Sequence, residues 1–496
     1  MGGSTGPAQD GIATGPDETA GGWDMTVDVV VAGIGIAGGA AAITAHDLGA
    51  QVLVLEKEPE RSCGGNSRVS GNCWFENLSE DAVASYLLSM SGDDPPPPEL
   101  VRVWAAETAR NSAWVSGLGV PISLLPGSEP PEFPELPGAE GYGGMNVVGK
   151  TWGMSRLWQA VFDAAARRGI DIRFGSPITG LVLDGGEVAG AVALIDGTAR
   201  RIRARHGVVL ATGGFENNPD MVREHLGVRG SVPWGSPANT GDGIAIARQA
   251  GAGLWHMGNY MPVLGLAAPG WRTGFHIAPE RRGLVLVNSA GRRFADEYPP
   301  GGHGHMLIDG RYQLFPPPAT FVIFDEETRR AGPLFPPVER NPYSWNEIIE
   351  GYQWSADSAA ELARGWLHSA PTLAGLGAAL GVDGAALAGT VEQYNVGCTA
   401  GSDPEFGRDP RWLLPLATPP FYGFATPPVV GYTCGGPRRD EQARVLRADG
   451  SPIPRLYCAG EISSTYGWCM DGGMMIADAL VFGRIAGRNA ALPGLS

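Results

Sequence analysis

The chain has 496 residues, of which 43% are hydrophobic and 18% charged, a length and balance that exclude a disordered protein and ask for two or three domains. Its 52 acidic against 36 basic side chains leave a net charge of −16, which argues against nucleic acid or an anionic membrane surface as the main partner.

Residues 1–24 are rich in Gly, Ala, Thr, Pro and Asp without periodicity, and are expected to form a flexible N-terminal tail. They lack a basic segment followed by an apolar stretch, so no secretory signal is expected. The apolar run from Val27 to Ala45 is broken by Gly33, Gly35, Gly38 and Gly39, which predicts a strand–turn–helix and no membrane span. Val27–Ala32 reads as a buried parallel strand. Gly33-Ile34-Gly35-Ile36-Ala37-Gly38 comes next, then an Ala-rich helical stretch to Gly49, then a second strand over Gln51–Lys57 that contains Glu56.

This βαβ unit has a physical task for each part. Gly33 permits the tight turn, Gly35 lets the backbone approach a pyrophosphate, and Gly38 lets helix and strand pack closely. The helix N-terminus offers free N–H groups and the positive end of its dipole to phosphate. Glu56 is placed to accept hydrogen bonds from a ribose and to repel a 2′-phosphate. The motif by itself does not choose between NAD and FAD. The segments beyond Lys57 make that choice. Cys63-Gly64-Gly65-Asn66-Ser67 and Ser70-Gly71-Asn72 offer small residues against which a large flat ligand can lie. His206–Gly214 is a later strand ending in Thr-Gly-Gly. Asn239-Thr240-Gly241-Asp242-Gly243 opens a helix, Leu456–Glu461 is a strand ending in Gly-Glu, and Gly472-Gly473 opens a final helix running to Arg488.

The middle of the chain differs in texture, with proline clusters at 316–318, 333–337 and 419–420 and a helical stretch Leu373–Tyr394. Gly375-Leu376-Gly377 lacks a preceding strand, so a glycine-rich helical hairpin is expected there. No second dinucleotide fingerprint occurs, no cysteines are spaced for zinc, haem or an iron–sulfur cluster, and no metal is expected. The six cysteines are scattered, which fits reduced thiols in a cytoplasm.

Taken together, AGIGIAG (32–38), LEK (55–57), GGNSRVSG (64–71), ATGGF (211–215), NTGDG (239–243), GRRFADE (291–297), TCGG (433–436), LYCAGE (456–461) and DALVFGRIAG (478–487) resemble the fumarate reductase and 3-ketosteroid dehydrogenase superfamily of flavoproteins, over about Val27 to Ala490. The resemblance implies an α/β fold: a Rossmann-like FAD-binding domain in two sequence segments, 25–280 and 432–496, with an inserted α+β capping domain at 281–431. FAD is the implied cofactor. The implied cofactor-binding residues are Gly33, Gly35, Ala37, Gly38, Glu56, Lys57, Gly64, Gly65, Asn66, Ser67, Ser70, Gly71, Ala211, Thr212, Gly213, Asp242, Gly460, Glu461, Gly473, Met475 and Ile476. The partner is a small-molecule substrate between the domains, and no motif specifies the electron donor or acceptor.

The implied chemistry is hydride transfer between flavin N5 and a CH–CH or C=C bond next to a carbonyl. Fumarate reductases clamp two carboxylates with Arg and His. Here Met470 stands where the clamping Arg is expected, and Gly431-Tyr432 replaces the His-His pair, so a dicarboxylate is disfavoured. Arg329 has two readings, a remnant of the acid or a surface charge. The ketosteroid branch uses tyrosines, and Tyr432, Tyr298 and Tyr466 are the candidate catalytic residues, with His303 and His305 on the same segment as Tyr298. Trp234, Trp255, Trp271, Trp468 and Met470 would make a flat apolar pocket if they line it. The expected activity is therefore an FAD-dependent dehydrogenase or reductase acting on a neutral, hydrophobic cyclic ketone, 3-ketosteroid-like or a secondary metabolite. The alternatives are a flavin oxidase acting on C–N or C–O bonds with O₂, a dicarboxylate-type C=C reductase, ranked below it, and a protein in which FAD is only structural.

Overall fold

The computed structural model describes residues 22–128, 130–277, 283–297, 303–334 and 344–492. Most of the expected tail lies outside them. Asp24 is docked, its carboxylate accepting the Arg201 backbone N–H at 2.8 Å.

Short runs of Val, Leu and Ile build a central sheet whose middle strands are buried on both faces. Its strands are β1 (Met25–Ala32), β2 (Val52–Leu55), β3 (Asp171–Arg173), β4 (Ile178–Asp184), β5 (Glu187–Ile195), β6 (Thr198–Leu210), β7 (Arg444–Leu446) and β8 (Pro452–Cys458). Their order is β7-β8-β6-β1-β2-β3, with the β4–β5 hairpin laid against β6. Strand β1 runs parallel to β2 and β6, pairing Ala32 with both Leu55 and Leu210, and Cys458 of β8 also pairs with Leu210. Four parallel strands thus end level at one edge, and Gly33, Glu56, Ala211 and Gly460 all leave the sheet there. In open α/β sheets this edge is the usual place for a ligand. The strands are shorter than the sequence runs imply at their C-terminal ends: β2 stops at Leu55 and β8 at Cys458, because the next residues turn toward that edge.

The helices that flank the sheet are α1 (Ile36–Asp47), α2 (Arg156–Arg167), α3 (Asp242–Gln249) and α4 (Met474–Ala491). Although over 400 residues separate them, α1 and α4 touch backbone to backbone. A Cβ on Gly483 would lie 2.5 Å from the Ala37 carbonyl oxygen, and one on Gly487 would lie 2.2 Å from that of Ala41. Beside them Arg439 is fully buried, donates to Asp478 of α4 at 2.8 Å, and lies over the Phe482 ring at 3.6 Å. The cation sets the position of α4 only while Asp478 balances it.

A second sheet is antiparallel and joins Leu284–Val287, Thr320–Asp325, Phe421–Thr426 and His368–Ala370. The helices Leu373–Leu380 and Gly384–Ala400 pack on one of its faces, and they form the helical hairpin expected from the glycine pattern. Its other face packs on an aromatic cluster around Phe275, Tyr352, Trp354 and Trp366. Arg293 of the GRRFADE motif is buried, donating to Glu297 at 2.7 Å and to Asp403 at 2.9 Å, and this ties the loop after Leu284–Val287 to the end of Gly384–Ala400. A third, smaller sheet pairs Val429–Thr433 with Val232–Pro233 on one side and Tyr260–Val263 on the other. It puts Tyr432 on a strand held at both edges. No helix among the described residues is long and apolar enough to cross a membrane.

Candidate active site

One cavity of about 1470 Å³ begins at the level edge of the central sheet and runs to the third sheet, at Met261, Val263 and Tyr432, and to the segment from His303 to Asp309. A typical small-molecule pocket is about 300–1,000 Å³, so this one has room for a dinucleotide and a second molecule.

At its nucleotide end, Gly33 turns with φ +101°, and a Cβ there would meet the Ala211 carbonyl oxygen at 2.4 Å, so only glycine fits. Glu56 is buried and both its carboxylate oxygens are already oriented, one by the Ile34 N–H at 3.1 Å and the other by the Glu58 N–H at 2.8 Å. Burial raises its pKa above the usual carboxylate value, against the pull of those N–H groups. Lys57 donates to Asp242 at 2.6 Å and to Thr240 at 2.8 Å, which joins the end of β2 to the N-terminus of α3. The Ser67 hydroxyl accepts the first N–H of α1, from Ile36, at 3.0 Å. Farther in, Gly473 caps α4 at φ +76°, and the Met475 and Ile476 side of that helix start lines the cavity. The positive dipole end of an 18-residue helix is therefore directed into the cavity, where it would favour a group that gains negative charge.

Of the sequence-expected cofactor residues, all but Gly38 line this cavity. Gly38 acts from behind: a Cβ on it would meet the Gly33 carbonyl oxygen at 2.0 Å. Between the two ends lies a buried knot of polar groups. Asn66 donates to Glu216 at 2.7 Å and to Glu461 at 2.9 Å, and Asn239 donates to Glu216 at 2.7 Å. Two carboxyls held this close in a dry site cannot both ionise easily. Burial, with the neighbouring Glu216 charge, raises Glu461, and burial raises Glu216 to about 7.

The inner part of the cavity holds Met145, Met261, Val263, Phe294, Tyr432 and Met470, with Glu132, His276, His303 and His305. Burial lowers His276 and His305 to about 4, so both are neutral near pH 7. Burial, and the nearby Cys434 and glutamates, push the Tyr432 hydroxyl well above the usual tyrosine value, so it remains a hydrogen-bond donor.

Several candidates fall elsewhere. Tyr466 does not line the cavity: it is fully buried, packs edge-on against Trp104, and donates its hydroxyl to the Met474 carbonyl oxygen at 2.7 Å, a bond that secures the start of α4. Its hydroxyl is thus turned away from any substrate in the cavity. Tyr298 lies outside the described residues. Trp234 and Met470 line the cavity, whereas Trp255, Trp271 and Trp468 do not. Trp468 packs behind His305, with ring centroids 4.8 Å apart. Arg329 is away from the cavity, held in a largely buried ion pair with Glu326 at 2.7 Å and bonded to Asp357 at 3.1 Å, so it does not supply an acid to this site. Sequence reasoning missed Glu132, Glu216, Asp471 and His276. Glu216 had a signal, since it comes directly after the ATGGF motif. The other three are assembled only by the fold.

Comparison with known proteins agrees with this geometry. Residues 28–474 match the FAD binding domain family. The chain is 29% identical to a fumarate reductase (cytochrome) of Shewanella frigidimarina over 94% of this chain and 77% of that protein. It is also 29% identical to a 3-oxosteroid 1-dehydrogenase of Mycolicibacterium smegmatis, over 94% and 97%. Among solved structures, a 3-ketosteroid Δ4-(5α)-dehydrogenase of Rhodococcus jostii RHA1 superposes with a TM-score of 0.66 at 25% identity, covering 96% of this chain and 98% of that one. A 3-ketosteroid Δ1-dehydrogenase from Sterolibacterium denitrificans shares the fold with a TM-score of 0.78 at 23% identity, covering 94% and 99%. The glycine turn, the oriented Glu56, the two helix starts and the matched family converge on one cofactor: the chain belongs to the FAD binding domain family and is an FAD-dependent oxidoreductase.

Proposed function

We propose that the protein makes or reduces a C=C bond next to the carbonyl of a neutral, hydrophobic cyclic ketone, 3-ketosteroid-like or a secondary metabolite. The observation that carries this reading is the charge of the cavity. Among the described residues that line it there is no arginine, and its one lysine, Lys57, is engaged by Asp242 at the nucleotide end. A dicarboxylate entering the inner part would meet Glu132, Glu135, Asp296 and Glu405, two neutral imidazoles, and a third, His303, whose charge is already matched by Glu132. An uncharged ring would instead meet Met145, Met261, Val263, Phe294 and Met470. The similarity to 3-oxosteroid 1-dehydrogenases along nearly their whole length supports the same class of substrate.

In this reading the segments 25–280 and 432–496 hold FAD and 281–431 caps the substrate. When bound, FAD supplies the acceptor or donor of the hydride exchanged with the substrate carbon. Gly33, Gly35, Glu56, Asp242 and the first turn of α1 hold its nucleotide half, and Gly64–Ser67, Gly460, Glu461, Gly473, Met475 and Ile476 hold its ring system. Tyr432 donates a hydrogen bond to the substrate carbonyl. Six cysteines, all unpaired, support a cytoplasmic setting. The test is an anaerobic visible spectrum during titration with a saturated 3-ketosteroid. Bleaching of the oxidised flavin band by the ketone, but not by succinate, is the expected result. Bleaching by succinate and not by any cyclic ketone would overturn the reading. Peroxide released in step with turnover on an amine or alcohol would move the protein to oxidase chemistry.

A further inference from the structure

Oxidation beside a carbonyl requires a proton acceptor as well as a carbonyl donor, and the phenol of Tyr432 is fixed as a donor. Two residues that the tyrosine-based reading did not use supply the missing part. His303 and Glu132, 171 positions apart in sequence, both line the inner cavity, and His303 Nδ1 lies 2.7 Å from a Glu132 carboxylate oxygen. Nδ1 is thereby committed, and Nε2 has no hydrogen-bond partner among the described residues. The Glu132 backbone is held in turn: its N–H donates to Asp471 at 2.9 Å. Asp471 also accepts the Tyr86 hydroxyl at 2.7 Å and the Gly472 N–H at 2.5 Å. Gly472 and Gly473 are the start of the helix that faces the flavin site, so the dyad is anchored to the cavity floor.

We propose that His303 and Glu132 form the acid–base dyad of this site, His303 exchanging a proton through Nε2 with the substrate carbon beside the carbonyl. Glu132 is its positioning residue. In the oxidative direction the C–H bond breaks and an N–H bond forms on Nε2. The electron pair stays on carbon as an enolate, whose oxygen is met by the Tyr432 hydroxyl. In the reductive direction the same proton returns. Glu132 fixes the ring tautomer and compensates the imidazolium. Three titratable groups act on His303 among the described residues: Glu132, Asp471 and His305. Glu135, from the same loop as Glu132, is held by the Tyr312 hydroxyl. Burial alone would lower His303. The charge and hydrogen bond of Glu132, with Asp471 behind it, outweigh that and raise it above the usual histidine value.

This proposal rests on the ketone reading, so its test is chosen to fail separately from it. The flavin-loaded protein is incubated anaerobically in D₂O with a saturated 3-ketosteroid, and deuterium gained beside the carbonyl is measured by mass spectrometry across pH. Histidine ring NMR titration runs in parallel. Wild type is expected to exchange, with a rate that rises through the His303 pKa. H303Q should lose on the order of 100-fold or more, and H303A should recover with added imidazole. E132Q should exchange more slowly, with its rising limb moved to lower pH and the His303 NMR titration moved with it, and E132D should restore both. The visible flavin spectrum confirms that each variant is folded and loaded. Exchange without flavin bleaching would keep the dyad and overturn the ketone oxidoreductase reading. Wild type that fails to exchange, H303Q that exchanges at the wild-type rate, or a His303 titration unmoved in E132Q would each overturn the dyad, and the NMR arm decides even where H303Q does not fold.

Discussion

Replacing Gly38 by alanine tests how closely the glycines of the first turn are fitted to their task. The new Cβ would lie 2.0 Å from the Gly33 carbonyl oxygen and 3.3 Å from Ala211 Cβ, whereas ordinary contact begins near 3.4 Å. Helix α1 would have to retreat by a little over 1 Å from the turn that carries Gly33, and it is not free to do so. The adjoining face of α1, at Ala37 and Ala41, is already in close contact with Gly483 and Gly487 of α4, and Gly39 sits against Val161. Overpacking of this kind costs about 1–3 kcal/mol. Since the displaced turn is the cofactor cradle, the strain is expected in FAD affinity, where about 1.4 kcal/mol is tenfold. G38A should therefore bind FAD roughly 5- to 150-fold more weakly, measured by quenching of FAD fluorescence on titration into deflavinated protein. G389A, in the helix Gly384–Ala400, has nothing within 4 Å of its new Cβ and should bind FAD as wild type does. A G38A protein with wild-type FAD affinity and melting temperature would refute the close-packing argument.

The Glu216–Glu461 pair makes stability depend on pH. Because the folded state raises Glu216 to about 7 against 4.5 in the open chain, the native protein holds the extra proton between those values, and stability falls as pH rises from about 4.5 to 7. In E216Q that decline should be shallower, seen as a melting temperature that changes less from pH 5 to pH 7.5. Y432F should retain the flavin spectrum but lose about 10²–10³ in kcat on a cyclic ketone, the usual effect of removing a donor to a developing oxyanion. R439M strands the Asp478 carboxylate in the core, and should lower stability by about 3–5 kcal/mol in denaturant unfolding, whereas R439M/D478L should recover much of that loss.

The nucleotide half of the site was readable because its parts are local. A β-branched run, a spaced set of glycines and a terminal acid lie within residues 27–57, and each has one physical use. The glycines proposed to hold the ring were readable as cavity-lining residues because close approach to a flat ligand leaves few other residue types. The proposed acid–base half is assembled across long separations: Glu132 meets Asp471 over 339 positions and His303 over 171. No period or spacing carries such a meeting. Glu132 sits in a run of prolines that reads as a connecting loop, and nothing in the run shows that it faces a cavity. Tyr466 was misplaced for a related reason. Its position just before α4 is correct, but a position in sequence does not give the direction of a side chain, and its hydroxyl points back into the helix start it supports.

The cysteines carry a consequence for the lifetime of the protein in air. A reduced flavin that meets dioxygen releases peroxide, and the sulfurs closest to such a leak are the first exposed to it. Burial pushes Cys63, Cys73, Cys434 and Cys469 to about 12 and Cys458 to about 11. At neutral pH the reactive thiolate is then a fraction on the order of 10⁻⁴ to 10⁻⁵ of each site, and it is the thiolate that peroxide attacks. These five thiols therefore offer peroxide little of their reactive form, whereas the thioethers of Met145, Met261, Met306, Met470 and Met475, which line the cavity itself, need no deprotonation and are the sulfurs that repeated accidental turnover with air should oxidise first.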